Sequence, residues 1–325
     1  MIRSRRRSWW NTPVARRKIW RVVQFVAGAV VIALAARSIV LNWHSLRAQP
    51  IEWEFSAGWV AASVLVVFTA YAVLIEAWRR VVISMGEKLA FFQAARIWFL
   101  ASFGKYVPGK VWALAGAAIL AQRVGVDPSA AVAGALVLQA LALASGAVAV
   151  ALTAREAFQA VGPGVVPIAV TVVALSIAGI FVLGSQPLLD RVNRALPASL
   201  PSLRAIAPGM LASAFAANVF AWGAYGLALI FLAKGLLPDV HLTLPQAIGV
   251  FTCSYLVGFI ALFAPGGLGP RESVFLLMLA GDIGLKPAAA LALASRLLLT
   301  GTELLPAVSL LLRRGAQTSP PVREA

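Results

Sequence analysis

Three short stretches of this 325-residue chain carry the residue types that do chemistry. Lys105-Tyr106-Val107-Pro108-Gly109-Lys110 sets two ammonium groups around a Pro-Gly turn. Pro265-Gly266-Gly267-Leu268-Gly269-Pro270-Arg271-Glu272 sets a guanidinium and a carboxylate beside three glycines. Farther on, Arg296 and Glu303 stand seven residues apart, a spacing that shares one helix face. Charge within a bilayer is costly unless it is paired or hydrated. Lysines around a turn there suit phosphate or another lipid headgroup anion, and a helix starting near Val111 adds the partial positive charge of its N-terminus. The glycines allow backbone conformations closed to other residues, and arginine grips phosphate with two donors. Glu272 can neutralise Arg271 or another buried cation. The second stretch is not a nucleotide-binding P-loop, because the Gly-Lys-Ser/Thr ending is missing. Blander readings stand beside these: snorkelling lysines, a surface turn with solvated charges, and structural pairing among Glu76, Arg96, Arg296 and Glu303.

The elements that must position these residues are apolar. The chain is 61% hydrophobic and 12% charged, with a mean hydropathy of +0.87, whereas soluble domains sit near 45–50% apolar and about 25% charged. A water-soluble enzyme, a disordered chain and a fibrous protein are excluded, and a polytopic helical membrane protein remains. The net charge of +16 does not point to nucleic acid, because the basic residues flank apolar runs, as an anionic inner leaflet selects. One cysteine, Cys253, excludes a disulfide framework. With only His44 and His241 beside it, no metal site or cofactor is expected.

Full-length apolar segments occur at 22–41, 57–77, 130–152, 165–183, 207–232 and 287–312. Each is long enough to cross a hydrocarbon core of about 30 Å as helix. The first is read as a retained span rather than a cleaved signal peptide. Asp127-Pro128-Ser129 opens the third with a capping side chain and a first-turn proline. Two further regions, 90–123 and 244–285, are apolar but broken by the two Gly/Pro stretches, and most of their flanking runs are too short to span. Such backbone survives at membrane depth only when buried in protein or lining a wet cavity, so both are read as re-entrant hairpins or broken helices. The expected fold is thus all-α, with about six transmembrane helices plus two hairpins; the alternative lets the broken segments cross, giving eight spans. One domain over 20–314 lies between a basic tail, 1–19, and a short tail, 315–325.

Charge asymmetry places both termini in the cytoplasm of a plasma-membrane protein. Arg79, Arg80, Lys88, Arg191, Arg194, Arg204, Arg313 and Arg314 then share the side of the basic N-terminus, and the outer loops hold only Arg47, Arg155 and Lys234. The first hairpin opens on the cytoplasmic side and the second on the outer side, an opposition found in inverted-repeat transporters.

With these motifs in view, the chain resembles the transmembrane region of lysylphosphatidylglycerol synthases, a flippase-like membrane family. The Lys-Tyr-x-Pro-Gly-Lys stretch after a short apolar run and the later Pro-Gly-Gly-x-Gly-x-x-Glu look like that family's signature segments, and the likeness covers about residues 20–314. It implies a polytopic helical protein with re-entrant elements that moves aminoacylated or other lipids between leaflets. The matching positions are Pro108, Gly109, Pro265, Gly266, Gly267, Gly269 and Glu272, with Lys105, Tyr106, Lys110 and Arg271 beside them. The soluble aminoacyl-transferase domain of the full synthases is not part of these 325 residues, so lysyl transfer is not expected and the chain is read as no enzyme. The leading expectation is a lipid translocator whose headgroup site draws on these residues with Arg96, Arg296 and Glu303. Its partners are then anionic, aminoacylated or polyprenyl-type membrane lipids. Two alternatives remain: a membrane subunit that docks a separate lipid-modifying enzyme, and a membrane-embedded transferase acting on a lipid carrier.

Overall fold

A computed structural model describes residues 54–106, 111–153, 165–195, 205–261 and 264–317. The span expected at 22–41 and both tails' outer parts lie outside them. The described residues form helices and no strand. In chain order these are α1 (Ala57–Ser84), α2 (Phe91–Ala101), a 3-10 turn (Ser102–Tyr106), α3 (Trp112–Gln122), α4 (Pro128–Thr153), α5 (Val165–Gly184), α6 (Gln186–Ala195), α7 (Pro208–Leu236), α8 (Leu244–Ile260), a second 3-10 turn (Pro265–Gly267), α9 (Pro270–Ile283) and α10 (Leu285–Gln317). Four helices among the described residues have the length and apolarity to cross a membrane: α1, α4, α7 and α10 over Leu285–Leu310. The 20-residue α5 coincides with the expected fourth span.

At the centre α1 lies antiparallel against α7. The Ser56 N–H donates to Gly235 O at 2.9 Å, and two turns deeper the Ser63 hydroxyl donates to Ala228 O at 2.7 Å. Small residues permit the close approach: Ala70, Ala221, Ala228 and Ala233 are almost wholly buried. Without water to drive association, such close packing and satisfied polar groups are what hold helices together in lipid. Large apolar side chains such as Leu65, Leu152, Phe181 and Leu305 point outward, as a lipid solvent favours. One expectation from sequence fails here: Trp59 and Trp78 bracket the apolar segment 57–77 as an interfacial belt would, but α1 runs on to Ser84. Trp78 is buried within the bundle, and its indole N–H donates to Ala131 O on α4 at 3.3 Å.

Both broken regions fold as hairpins whose two arms pack on each other. In the first, α2 and α3 have 11 residues each, about 16 Å of helix, half a membrane. In the second, α8 has 17 and α9 has 14. The mouth of the first hairpin follows the end of α1 and is closed by the Asp127 N–H donating to a Glu87 carboxylate oxygen at 3.2 Å. Asp127 also accepts from the Ser129 N–H at 2.6 Å, the cap expected for α4. The mouth of the second follows α7, beside the start of α1, and is closed by the Gln246 amide donating to Asp282 at 2.6 Å. The hairpins therefore enter from opposite ends of α1, and their 3-10 tips touch. Helix α10 contacts α2, the first tip and α9, passing both hairpins.

Candidate functional site

Each tip turns tightly because a glycine lets backbone lie on backbone. A Cβ at Gly104 would sit 2.3 Å from Ala113 N, in the first turn of the return arm α3. At Gly267, φ is +74°, and a Cβ would meet Gly258 Cα of the arm α8 at 3.0 Å. Gly266 and Gly269 also have positive φ. Helix α9 begins inside the Gly/Pro stretch, at Pro270. Pro270 supplies the first turn, and the Glu272 carboxylate turns back to accept the Gly269 N–H at 2.8 Å, a capping arrangement.

The charged groups meet where the tips meet. Lys105 of the first tip forms an ion pair with Glu303 of α10. The other Glu303 oxygen accepts from the Tyr71 hydroxyl of α1 at 3.1 Å. Glu272, at the second tip, forms an ion pair with Arg296 of α10, and Arg296 also donates to Gly266 O at 3.3 Å. Arg296 and Glu303 do share a face, yet they serve different hairpins. Their seven-residue spacing puts about 10 Å between them along the helix, too far for a direct bond. In both pairs the α10 side chain is the more buried: Glu303 is 11% exposed against 37% for Lys105, and Arg296 16% against 27% for Glu272.

Arg271 is different. It is buried, its guanidinium carbon lies 5.0 Å from the centroid of the Phe251 ring, and among the described residues Nε and Nη2 have no hydrogen-bond partner. The neighbouring Glu272 is committed to Arg296 and Gly269. Buried donors left without a hydrogen bond cost free energy. Tyr255 lies within electrostatic range of Lys105, Glu303 and Arg271. Aromatic rings wall this region: Tyr225 stacks on Phe251 at 4.9 Å and touches Tyr71 and Trp222 edge-on or tilted, and Trp222 meets Tyr255 at 5.3 Å. Sequence reasoning missed Tyr71, Tyr225, Phe251 and Tyr255. Aromatic residues inside apolar helices carry no local mark that separates a site wall from ordinary core.

Other sequence candidates fall as follows. Arg96 lies on α2, away from the tip, with a buried Nη2 that has no partner among the described residues. Glu76 binds Arg79 and Arg80 at 2.7 and 2.8 Å near the end of α1, which is structural pairing. The backbones of Tyr106 and Pro265 belong to the 3-10 tips. Pro108, Gly109 and Lys110 lie outside the described residues. No group of metal-ligating side chains occurs among the described residues.

The model of one protein family, described as the lysylphosphatidylglycerol synthase TM region, matches residues 21–306. The chain belongs to that family, as its two signature stretches implied, and is a multi-pass membrane protein of a lipid-related class. No curated protein matches it.

Proposed function

We propose that this member of the lysylphosphatidylglycerol synthase TM region family is a lipid translocator of the plasma membrane, with both termini in the cytoplasm. It binds the phosphate of an anionic or modified lipid between the hairpin tips and passes it from one leaflet to the other. The observation that carries this reading is Arg271, a buried guanidinium whose Nε and Nη2 have no hydrogen-bond partner among the described residues, at the contact between two opposed hairpins. A phosphate oxygen would satisfy the donors the protein leaves unmet. Each hairpin is held to α10 by one ion pair; exchanging a carboxylate for the headgroup phosphate would release that hairpin and open the site toward its side. The role is transport rather than catalysis. Among the described residues, the two carboxylates at the tips are both engaged in ion pairs, which leaves neither as a ready general base.

The test is reconstitution. Purified protein in liposomes is expected to accelerate exchange of a fluorescent anionic phospholipid between leaflets, read by dithionite quenching. Arg271→Gln is expected to abolish the acceleration. Equal rates for protein-containing and protein-free liposomes, in a preparation shown to be folded, would overturn the proposal.

A further inference from the structure

Helix α4 packs on one arm of each hairpin, α3 of the first and α8 of the second. One of its polar side chains is left unmet: Gln139 Nε2 is buried and has no hydrogen-bond partner among the described residues. Its place follows from Gly146, seven residues on and so on the same face. A Cβ at Gly146 would meet the Leu256 side chain of α8 at 3.1 Å and the Trp222 ring of α7 at 3.2 Å. That face therefore looks onto α8 and the aromatic wall. Helix α4 starts at the first mouth and α8 at the second, so the two run antiparallel. Seven residues back from Gly146 is about 10 Å toward the first mouth. The same step from Leu256 passes the end of α8 at Ile260 and arrives beside the second tip, Pro265–Gly267. Gln139 is thus level with the tips. Ser145, beside Gly146, is satisfied by contrast: its hydroxyl donates to Ala142 O at 3.2 Å and accepts from the Trp222 indole N–H at 3.0 Å.

We infer that Gln139 is a second contact for the lipid headgroup and takes an uncharged oxygen beyond the phosphate. This deepens the translocator reading and rests on it. Arg271 approaches the same tip from the side of the second mouth: its Cβ lies against Gly258 of α8, and its guanidinium reaches back over the Phe251 ring. Gln139 stands nearer the first mouth. A ligand that meets both extends past its phosphate. The amide is neutral, so a hydroxyl or an ester carbonyl satisfies its buried N–H without bringing a further charge into the bundle. A glycerol headgroup, free or aminoacylated, offers such oxygens. A headgroup of the same length that ends in alkyl offers none, and it leaves the donor unmet. An unmet buried donor penalises the wrong ligand, which makes Gln139 a specificity-determining residue.

The experiment is lipid competition on the whole chain. Purified protein is exchanged into micelles holding equal amounts of phosphatidylglycerol, phosphatidylpropanol and diacylglycerol, and retained lipid is counted by native mass spectrometry. The first two share their charge and headgroup length and differ in the glycerol hydroxyls; the third lacks phosphate. Phosphatidylglycerol is expected to be retained about two- to tenfold over phosphatidylpropanol, the ratio that one neutral hydrogen bond supplies. Gln139→Met, close in shape and without a donor, is expected to bring that ratio to unity while both phospholipids stay enriched over diacylglycerol. Its melting temperature in detergent should equal or exceed that of the wild type, which checks the fold. Arg271→Gln is expected to lose the enrichment over diacylglycerol. Equal retention of the two phospholipids by the wild type, or an undiminished preference in Gln139→Met, would overturn this inference and leave the translocator reading standing. Retention of all three lipids at their bulk ratio by the wild type would overturn both.

Discussion

The two hairpins share a backbone plan and differ in the sign of the charge they carry to the centre. Each has two short arms packed on each other, a mouth closed by a side-chain hydrogen bond, and a glycine that seats its tip on its own arm. The first presents a cation, Lys105, and the second an anion, Glu272, with Arg271 beside it. Helix α10 answers each with the opposite sign, and its members are the more buried of each pair. The lesson is that α10 is the fixed reference and the tips dock onto it. Among the described residues, only the second tip holds a charge outside these two pairs, Arg271.

The largest effects should come from the feature the hairpins share. Gly104→Ala puts a methyl into the Ala113 backbone, and Gly267→Ala combines a close contact with a left-handed conformation, strain worth about 1–3 kcal/mol for the backbone alone. Both are expected to lower the melting temperature in detergent sharply or abolish monodisperse protein. Gly281→Ala on α9, with nothing within 4 Å, should be neutral or slightly stabilising. If the two tip variants differ widely, the hairpins are not equivalent in folding.

Next in size are the ion pairs. Breaking one partner of a fully buried pair costs about 3–5 kcal/mol; Lys105 is 37% exposed, so Glu303→Gln should destabilise by less than that and still measurably. Glu272→Gln, at the more exposed pair member, should cost less. The double variant Lys105→Gln/Glu303→Gln should recover part of the loss, with a coupling of about 1–3 kcal/mol. Zero coupling in a thermal-melt cycle would mean that the first tip does not depend on α10. Smaller still, Tyr71→Phe removes one hydrogen bond to Glu303 and should cost about 0.5–1.5 kcal/mol. Smallest, and opposite in character, is Arg271→Gln: stability unchanged or slightly raised, because an unsatisfied charge disappears, while lipid exchange is lost.

Much of this arrangement is legible in local sequence. Pro and Gly interrupt apolar runs at both hairpins, and Arg296 and Glu303 announce themselves as charges within a span. The sequence also orders the hairpins on opposite sides through loop charge, and the chain path through the two mouths agrees on their opposition. What local sequence does not contain is the pairing. Glu272 is next to Arg271, yet it bonds to Arg296, 24 residues on. Lys105 finds Glu303 across 198 residues. Gly104 and Gly258 matter only because another backbone lies against them. Trp78 reads as an interfacial residue until α1 is seen to run two turns beyond it.

The position of α10 in the chain has a consequence for how the protein is made. Translation delivers both hairpins before it delivers Arg296 and Glu303. Until then Lys105, Arg271 and Glu272 must wait, uncompensated, at the membrane surface or in the insertion machinery, because neither hairpin can bury its tip alone at tolerable cost. The helix that emerges after both hairpins is therefore the one that lets them settle. Late truncations that remove it should strand two half-inserted loops and mark the chain for quality control, rather than leave a working fragment.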